Sequence, residues 1–161
     1  MRYNFENFEN KGINKFGIVF NLDEHYKDGS HWVALYTDLE KYNTYFFDSY
    51  GKKPDRRIRR LISRIVKYMY KKKYNKDLSV KDVLGSLRKD KKKLLSHEII
   101  QNLRKFDIDY NKVRHQYDNS ECGVYSINFI LELLDGKSFK DITNNKTYDE
   151  EMNKNRKIYF R

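Results

Sequence analysis

The stretch HQYDNSECGVYSINFILELL, residues 115–134, holds the only cysteine of the 161-residue chain, Cys122, where an apolar run begins. The run is apolar on nearly all sides and is followed by Gly136, which predicts a helix buried at the centre of a domain. A single free cysteine is more often a small buried hydrophobe than a reactive group. At a helix N-terminus, however, backbone amides lower the pKa of a thiol, and we expect Asn119 or Ser120 to cap this turn. Cys122 is therefore a candidate nucleophile.

A predicted β-hairpin lies upstream, with arms at residues 32–36 and 44–48 joined by the polar turn DLEKYN. If this turn is centred between positions 39 and 40, residues whose numbers sum to 79 face each other. His31 then lies opposite Asp48 on one face, because the side chains of a strand alternate with period two. The hairpin is expected to bring an imidazole within reach of a carboxylate.

The rest of the chain predicts a mixture of helices and strands. Apolar residues at helical spacing predict a helix over residues 58–69, after Gly51 and Pro54. The other predicted elements are a buried strand at 17–22, one or two short helices within 80–106, a strand at 110–116 and a short charged helix within 148–161. The length and the absence of a linker predict a single domain, residues 1–161, of the α+β class.

Four side chains together supply the chemical groups of a cysteine hydrolase: Cys122, His31, Asp48 and Gln116. The imidazole would serve as base and then as acid, and the carboxylate would fix its tautomer and orientation. The side-chain amide of Gln116, beside the backbone N–H of Cys122, would stabilise the oxyanion that forms during acyl transfer. The combination predicts a thiol-dependent hydrolase.

Taken singly, each of these residues has an ordinary structural explanation. The four histidines fit turn or rim positions: His25, His31, His97 and His115. Asp48 fits a hairpin-end acid that is solvated or caps Ser49, Gln116 a surface amide, and Trp32 a core residue. The prediction therefore rests on their joint occurrence.

The composition restricts the class of protein. One cysteine allows no internal disulfide and no zinc site built on cysteine pairs, which fits a reducing, intracellular compartment. The first ten residues, MRYNFENFEN, are polar and aromatic, and no apolar run approaches the length needed to cross a bilayer. We expect no membrane association, no metal and no organic cofactor.

The positive charge is concentrated in one segment. Residues 52–76 contain twelve Lys or Arg and one acid, a net charge of +11 that equals the charge of the whole chain. Such a segment is ordinarily the solvated face of an amphipathic helix, and it also fits contact with nucleic-acid phosphates. The candidate phosphate-binding residues are Arg56, Arg57, Arg60 and Lys67.

The order His, Asp, Gln, Cys resembles that of the ubiquitin-like-protein protease and adenain group of cysteine peptidases. Seventeen positions lead from base to acid and six from amide to thiol, with a tryptophan directly after the histidine and a glycine directly after the cysteine. The stretches FNLDEHYKDGSHWVALYTD, FFDSYG and NSECGVYSINF look most like the branch found in large DNA viruses. The similarity extends from residue 17 to about residue 136.

The resemblance implies a papain-like cysteine protease fold, in which a small mixed sheet packs on the helix that carries the nucleophile. It implies Cys122 as nucleophile, His31 as base, Asp48 as the residue that orients it, and Gln116 as oxyanion donor. Trp32 and Gly123 would border a narrow channel that admits glycine-like residues. The implied reaction is cleavage of viral structural polyproteins after Gly-Gly or Gly-X during virion maturation, in the host cytoplasm or virus factory and in the virion.

Other functions fit the same residues. A deconjugase of ubiquitin-like modifiers of the SUMO type would use them on an isopeptide bond, and bacterial effector acetyltransferases share a related order of His, acid and Cys. A function of another class is that of a basic nucleic-acid-binding module that kept the protease fold. Only thirty residues precede His31, fewer than is usual in the group, so the chain is expected to be a catalytic core without a longer N-terminal portion.

Overall fold

The computed structural model describes residues 3–23, 31–93 and 106–160, and the side chains of residues 90–93 are not described. Two of the histidines, His25 and His97, lie outside these ranges. The elements in chain order are α1 (Phe5–Asn10), β1 (Lys15–Asn21), β2 (Trp32–Asp38), β3 (Asn43–Phe47), α2 (Arg56–Tyr74), α3 (Val80–Lys93), β4 (Asp107–Tyr110), α4 (Cys122–Leu134), α5 (Phe139–Asn144) and α6 (Asp149–Tyr159). The α+β class is confirmed.

The four strands form one sheet in the order β1-β2-β3-β4. Backbone hydrogen bonds at the ends of β1 and β2 join Leu22 to His31 (2.9 Å) and Leu39 to Asn14 (2.8 Å). The residue numbers of each pair sum to 53, so the two strands are antiparallel. β3 and β4 are parallel, since their bonds join positions with a constant difference: Asp107 to Tyr42 (3.1 Å) and Asn111 to Phe46 (3.3 Å). The predicted mixed sheet is confirmed.

The turn between β2 and β3 differs from the prediction by two positions in register. It spans residues 39–42, Asp38 Oδ1 accepts hydrogen bonds from two turn N–H groups at 3.0 Å, and Tyr42 closes the turn with φ 57°. The hydroxyls of Thr37 and Thr44 lie 3.3 Å apart, so facing positions sum to 81 and not to 79. A shift of two residues preserves the face to which each side chain points.

The described residues divide into two compact units. The first comprises the described parts of residues 1–15, 37–44 and 55–108, and the second those of residues 16–36, 45–54 and 109–161. The single domain expected over residues 1–161 stays a prediction. In the described part of the chain, no helix is both long enough and apolar enough to span a membrane.

Helix α2 dominates the first unit and extends beyond the predicted 58–69. Asp55 starts it by accepting a hydrogen bond from the N–H of Ile58 at 2.8 Å, and Asn75, in the left-handed conformation at φ 51°, ends it. Its apolar face is buried as the periodicity predicted, with Ile65 and Met69 fully enclosed. The short α1, which the sequence analysis did not predict, reaches α2 through hydrogen bonds from Tyr68 and Lys72 to Glu9.

The core of the second unit lies between α4 and the sheet residues. Aromatic side chains fill it: the ring of Phe47 stacks on Phe129 with centroids 4.7 Å apart, and Tyr45 stacks on Phe139 at 4.5 Å. Gly17 of β1 admits no side chain, because a Cβ there would lie 2.5 Å from Ile130 of α4. The predicted burial of α4 on all sides holds for its first part, up to Phe129, and is wrong for its last turn, where Leu131 and Leu134 are 39% and 46% exposed.

Other expectations need correction. The strand predicted at 110–116 lies instead at Asp107–Tyr110. After Tyr110 the side chain of Asn111, and not a further strand, hydrogen-bonds to the backbone of Asp48. β1 is an edge strand and only partly buried, not a buried strand. α5 was not predicted, whereas the charged C-terminal helix is present as α6.

Candidate active site

His31 and Asp48 form a hydrogen-bonded ion pair at one end of the β2–β3 hairpin. His31 Nε2 lies 2.9 Å from Asp48 Oδ1, and the two side chains are 18% and 2% exposed. Asp48 Oδ1 also accepts the backbone N–H of Tyr50 at 2.8 Å, and the Tyr50 ring stacks on the imidazole with centroids 4.8 Å apart. Tyr50 lies in the tight turn that follows β3, which Gly51 closes by donating its N–H to the carbonyl of Asp48 at 2.7 Å. The hydrogen bond and the stacked ring together fix the imidazole plane.

Cys122 is the first residue of α4 and is 7% exposed. Burial raises the pKa of its thiol, but hydrogen bonds from His31 and from the backbone amides of Trp32 and Gly123, together with the charge of His31, lower it below its usual value of 9.0. Two backbone amides and an imidazole therefore converge on the sulfur. The site favours a thiolate.

The pKa of the His31 imidazole shifts in the opposite direction. Burial lowers the pKa of His31, but hydrogen bonds to Asp48 and Cys122 and the charges of both groups outweigh it, and raise the pKa from 6.5 to about 9. Nε2 is engaged by Asp48, whereas Nδ1 is buried and has no hydrogen-bond partner of normal geometry among the described residues, so Nδ1 is the ring nitrogen available to the sulfur. The two shifts belong to one coupled pair, since a protonated imidazole favours the thiolate and a thiolate favours the protonated imidazole.

The expected side-chain cap of α4 is absent. The N-cap is Glu121 rather than Asn119 or Ser120, and it makes no side-chain capping bond. Its carboxylate is instead buried and pairs through Oε1 with Arg156 at 3.0 Å. A capping side chain at the first turn would compete for N–H groups, whereas here the N–H of Gly123 is directed to the sulfur.

Trp32 and Gly123, the predicted substrate-binding residues, lie beside the thiol. The indole of Trp32 is 39% exposed, which differs from the core position that it would have taken as an ordinary tryptophan. A Cβ built on Gly123 would lie 3.9 Å from Cγ of Trp32, at ordinary van der Waals distance, so the two residues are neighbours beside Cys122.

Gln116 is fully buried and is not a surface amide. Its Oε1 accepts a hydrogen bond from the Ser49 hydroxyl at 2.7 Å, and its Nε2 donates to the carbonyl of Asp118 at 2.6 Å. A primary amide has two N–H groups, so a second donor remains on Nε2. The residue is held in place at both ends of its amide.

Asn111 is a residue of the site that the sequence analysis missed. It is buried, its Oδ1 accepts the backbone N–H of Asp48 at 2.8 Å, and its Nδ2 donates to the backbone carbonyl of Asp48 at 2.6 Å. The side chain of Asn111 thus pairs with the backbone just beyond the end of β3 and holds the backbone of Asp48 in place. The two residues are 63 positions apart in the sequence, so no local pattern could reveal the contact.

His115 is a core histidine and not a turn or rim residue. It is 2% exposed, Nε2 lies 3.2 Å from the carbonyl of Thr143, and burial lowers its pKa. No group of three or more His, Cys, Asp or Glu side chains among residues 3–23, 31–93 and 106–160 is arranged to hold a metal ion.

The four candidate phosphate-binding residues lie on α2 in the first unit, whereas the four candidate catalytic residues belong to the second. Arg56 and Arg60 are exposed. Arg57 forms an ion pair with Asp55 at 3.1 Å, and Lys67 one with Asp77 at 3.0 Å. Part of the predicted basic surface is thus neutralised within the chain itself.

Comparison with known proteins finds similarity to proteases of large DNA viruses. A protein of Acanthamoeba polyphaga mimivirus that bears the name of a thiol protease is 34% identical over 158 residues, 98% of this chain and 43% of the relative. A protein of African swine fever virus named SUMO-1 cysteine protease is 28% identical over 150 residues, 92% of this chain and 44% of the relative. The chain therefore spans less than half the length of these relatives.

The fold comparison gives the same result. A crystal structure of the African swine fever virus protease superposes with a TM-score of 0.62 and 27% identity, over 92% of this chain and 44% of that structure. Residues 18–160 match the Ulp1 protease family, C-terminal catalytic domain. This match covers most of the chain and includes every candidate catalytic residue, so the chain belongs to the Ulp1 protease family of cysteine peptidases.

Proposed function

We propose that this chain is the catalytic domain of a viral cysteine endopeptidase, with Cys122 as nucleophile, His31 as general base and acid, and Asp48 as the residue that orients His31. The observation that carries the proposal is the partly buried hydrogen bond of 2.9 Å between His31 and Asp48, beside a thiol whose pKa is lowered. Burial alone would raise the pKa of an ordinary core cysteine. A lowered pKa therefore requires a partner that favours the thiolate.

In the proposed reaction the Cys122 thiolate attacks the scissile carbonyl carbon. The resulting oxyanion accepts hydrogen bonds from Nε2 of Gln116 and from the backbone N–H of Cys122. His31, protonated in the resting pair, donates its proton to the leaving amine as the C–N bond breaks. A water molecule, deprotonated by His31, then hydrolyses the thioester, releases the carboxylate and restores the thiolate–imidazolium pair.

We propose that the substrate has glycine at the scissile position, in Gly-Gly or Gly-X sequences of a viral polyprotein. The exposed indole of Trp32 lies against Gly123 at the nucleophile, and a residue without a side chain is the one that passes most easily along such a surface. A lone reactive thiol also requires a reducing environment, which fits cleavage in the host cytoplasm or the assembling virion.

A deconjugase of SUMO-type modifiers is the second candidate. Several of the African swine fever virus relatives carry the name SUMO-1 cysteine protease. The two substrates differ in the surface that they require. A folded modifier needs an extended binding surface on the enzyme, whereas a short peptide does not.

The decisive experiment presents both substrates to the same preparation. A fluorogenic Gly-Gly-X peptide and a SUMO-type modifier fused to a reporter are incubated in parallel, with Cys122→Ser as the inactive control. Preferential cleavage of the peptide is expected. Cleavage of the modifier fusion alone would favour the deconjugase, and cleavage of neither, with Cys122 reduced and the protein folded, would overturn the assignment as a hydrolase.

A further inference from the structure

The amide of Gln116 can take only one of its two flipped orientations. Nε2 faces the carbonyl oxygen of Asp118 at 2.6 Å, and a carbonyl oxygen accepts hydrogen bonds but donates none. The reversed amide would place two oxygens in contact. Oε1 is therefore on the opposite side, where the Ser49 hydroxyl donates to it at 2.7 Å.

Ser49 is positioned rigidly enough to enforce this orientation. It is 1% exposed, and its backbone carbonyl accepts the N–H groups of His115 at 2.8 Å and of Gln116 at 3.0 Å. Ser49 thus contacts Gln116 through both its backbone and its side chain. Since it directly follows Asp48 in the chain, one dipeptide contacts the candidate base on one side and the candidate oxyanion donor on the other.

The opposite end of the amide is fixed as well. The segment that supplies the Asp118 carbonyl is held by Asp149 at the start of α6, whose Oδ2 accepts the N–H groups of Tyr117 at 2.8 Å and of Asp118 at 3.1 Å. The carbonyl that receives one Nε2 proton therefore has a defined place. With Oε1 held by Ser49, the direction of the second Nε2 proton is determined.

We infer that Ser49 is a positioning residue of the oxyanion hole, whose hydroxyl orients the amide of Gln116 so that its free N–H is aimed before substrate arrives. The inference rests on the proposed function, since it gives Gln116 the role of oxyanion donor. Its physical basis is that a donor fixed in advance needs no reorganisation at the moment when negative charge develops. Without the hydroxyl, Oε1 loses its donor and the amide gains rotational freedom.

The test compares peptide hydrolysis with alkylation of Cys122 by iodoacetamide in Ser49→Ala, Gln116→Ala and the double variant. Alkylation proceeds by displacement at a saturated carbon and forms no oxyanion, so it reports only on the thiolate. We expect Ser49→Ala to lower kcat about tenfold with little change in KM, and the double variant to be no slower than Gln116→Ala. Alkylation should match the unmodified protein in all three.

Two controls separate positioning from a loss of stability. Thr143→Val removes another buried hydroxyl, which donates to the carbonyl of Phe139 at 2.9 Å, and should leave hydrolysis unchanged at a similar melting temperature. If Ser49→Ala does not fold, Ser49→Thr and Ser49→Val provide a pair of equal shape that differs in the hydroxyl. The threonine variant should then be several-fold more active, and equal activities would overturn the inference.

The outcomes distinguish the inference from the function on which it rests. Full hydrolysis by Ser49→Ala, or losses that multiply in the double variant, would overturn the role of Ser49 while leaving the oxyanion role of Gln116 in place. Full hydrolysis by Gln116→Ala would overturn both. Loss of alkylation in Ser49→Ala would also contradict the inference, because it would locate the effect at the thiolate.

Discussion

Replacement of Asp48 by asparagine isolates the charge of the acid from its geometry. Asp48 Oδ1 accepts hydrogen bonds from His31 Nε2 at 2.9 Å and from the N–H of Tyr50 at 2.8 Å. The amide oxygen of asparagine can accept both bonds in the same place, but it carries no negative charge. The variant should therefore keep the imidazole near its position and lose most of what stabilises the imidazolium.

The size of the effect follows from the pKa of His31, which is raised from 6.5 to about 9. This net shift corresponds to about 3 kcal/mol in favour of the imidazolium. Burial opposes it, and the hydrogen bonds and charges of Asp48 and Cys122 more than offset burial. If asparagine lowers the pKa to roughly 7.5, the protonated fraction of His31 at pH 8.5 falls from ~0.8 to ~0.1. At pH 6 the fraction stays near one in both proteins.

The assay is kcat/KM for a Gly-Gly-X peptide between pH 5.5 and 10. The unmodified protein should give a bell, in which the acid limb reports protonation of the thiolate and the alkaline limb, near pH 9, reports loss of the His31 proton. In Asp48→Asn the alkaline limb should move to lower pH, and the ratio of unmodified to variant rate should grow by about eightfold from pH 6 to pH 8.5.

The matched control is Asp38→Asn, which removes another buried carboxylate from the same hairpin. Asp38 is 2% exposed and accepts two turn N–H groups at 3.0 Å. That variant should lose some stability and keep the alkaline limb at its original pH. An alkaline limb unmoved in Asp48→Asn would refute the view that the charge of Asp48 maintains the imidazolium.

Three further predictions test other parts of the site and of the chain. His31→Ala should slow alkylation of Cys122 by iodoacetamide at least about tenfold below pH 8.5, since the thiolate loses its imidazolium; a rate that is unchanged would restore an ordinary buried cysteine. Asn111→Ala should lower both the melting temperature and kcat, because two backbone groups of Asp48 lose a buried partner worth about 1–3 kcal/mol each; normal turnover would remove Asn111 from the support of the site. The third prediction concerns α2, where serine replaces the four cations Arg56, Arg57, Arg60 and Lys67. If they bind nucleic acid, the slope of log affinity against log salt should flatten by about 0.9 for each phosphate that the variant no longer neutralises, with peptide hydrolysis unchanged; no binding at low salt would make the segment a solvated face.

Local periodicity carried most of the fold prediction. The apolar spacing from Ile58 to Met69 and the apolar run after Cys122 can each be read from one continuous stretch of sequence, and both helices are present. The hairpin was placed by its turn residues, but the register was wrong by two, because Asp38 accepts two turn N–H groups and the turn, residues 39–42, is centred between positions 40 and 41. The error did not affect the face of His31, since two is the period of a strand.

Contacts between distant segments could not be read from the sequence. Nothing in the vicinity of Asn111 indicates that its amide pairs with the backbone of Asp48, and the same is true of Ser49 and Gln116, which are 67 residues apart. The cap of α4 was also mispredicted, because propensity favours Asn119 or Ser120 while tertiary contacts draw Glu121 to Arg156. Local preference fails where a partner from another element competes for the same group.

The order of Asp48 and Ser49 makes the site sensitive to the register of the segment that carries them. The carboxylate of Asp48 contacts His31, and the hydroxyl of the next residue contacts Gln116, so two neighbouring side chains leave the backbone in different directions. A slip of one residue in one direction would bring the Ser49 hydroxyl to the imidazole and Tyr50 to Gln116. A slip in the other direction would bring Phe47 to the imidazole and the Asp48 carboxylate to Oε1 of Gln116, where two acceptors would meet. Asn111 opposes such a slip, because it binds both the N–H and the carbonyl of Asp48. The two bonds from Asn111 therefore fix the acid and the oxyanion donor together.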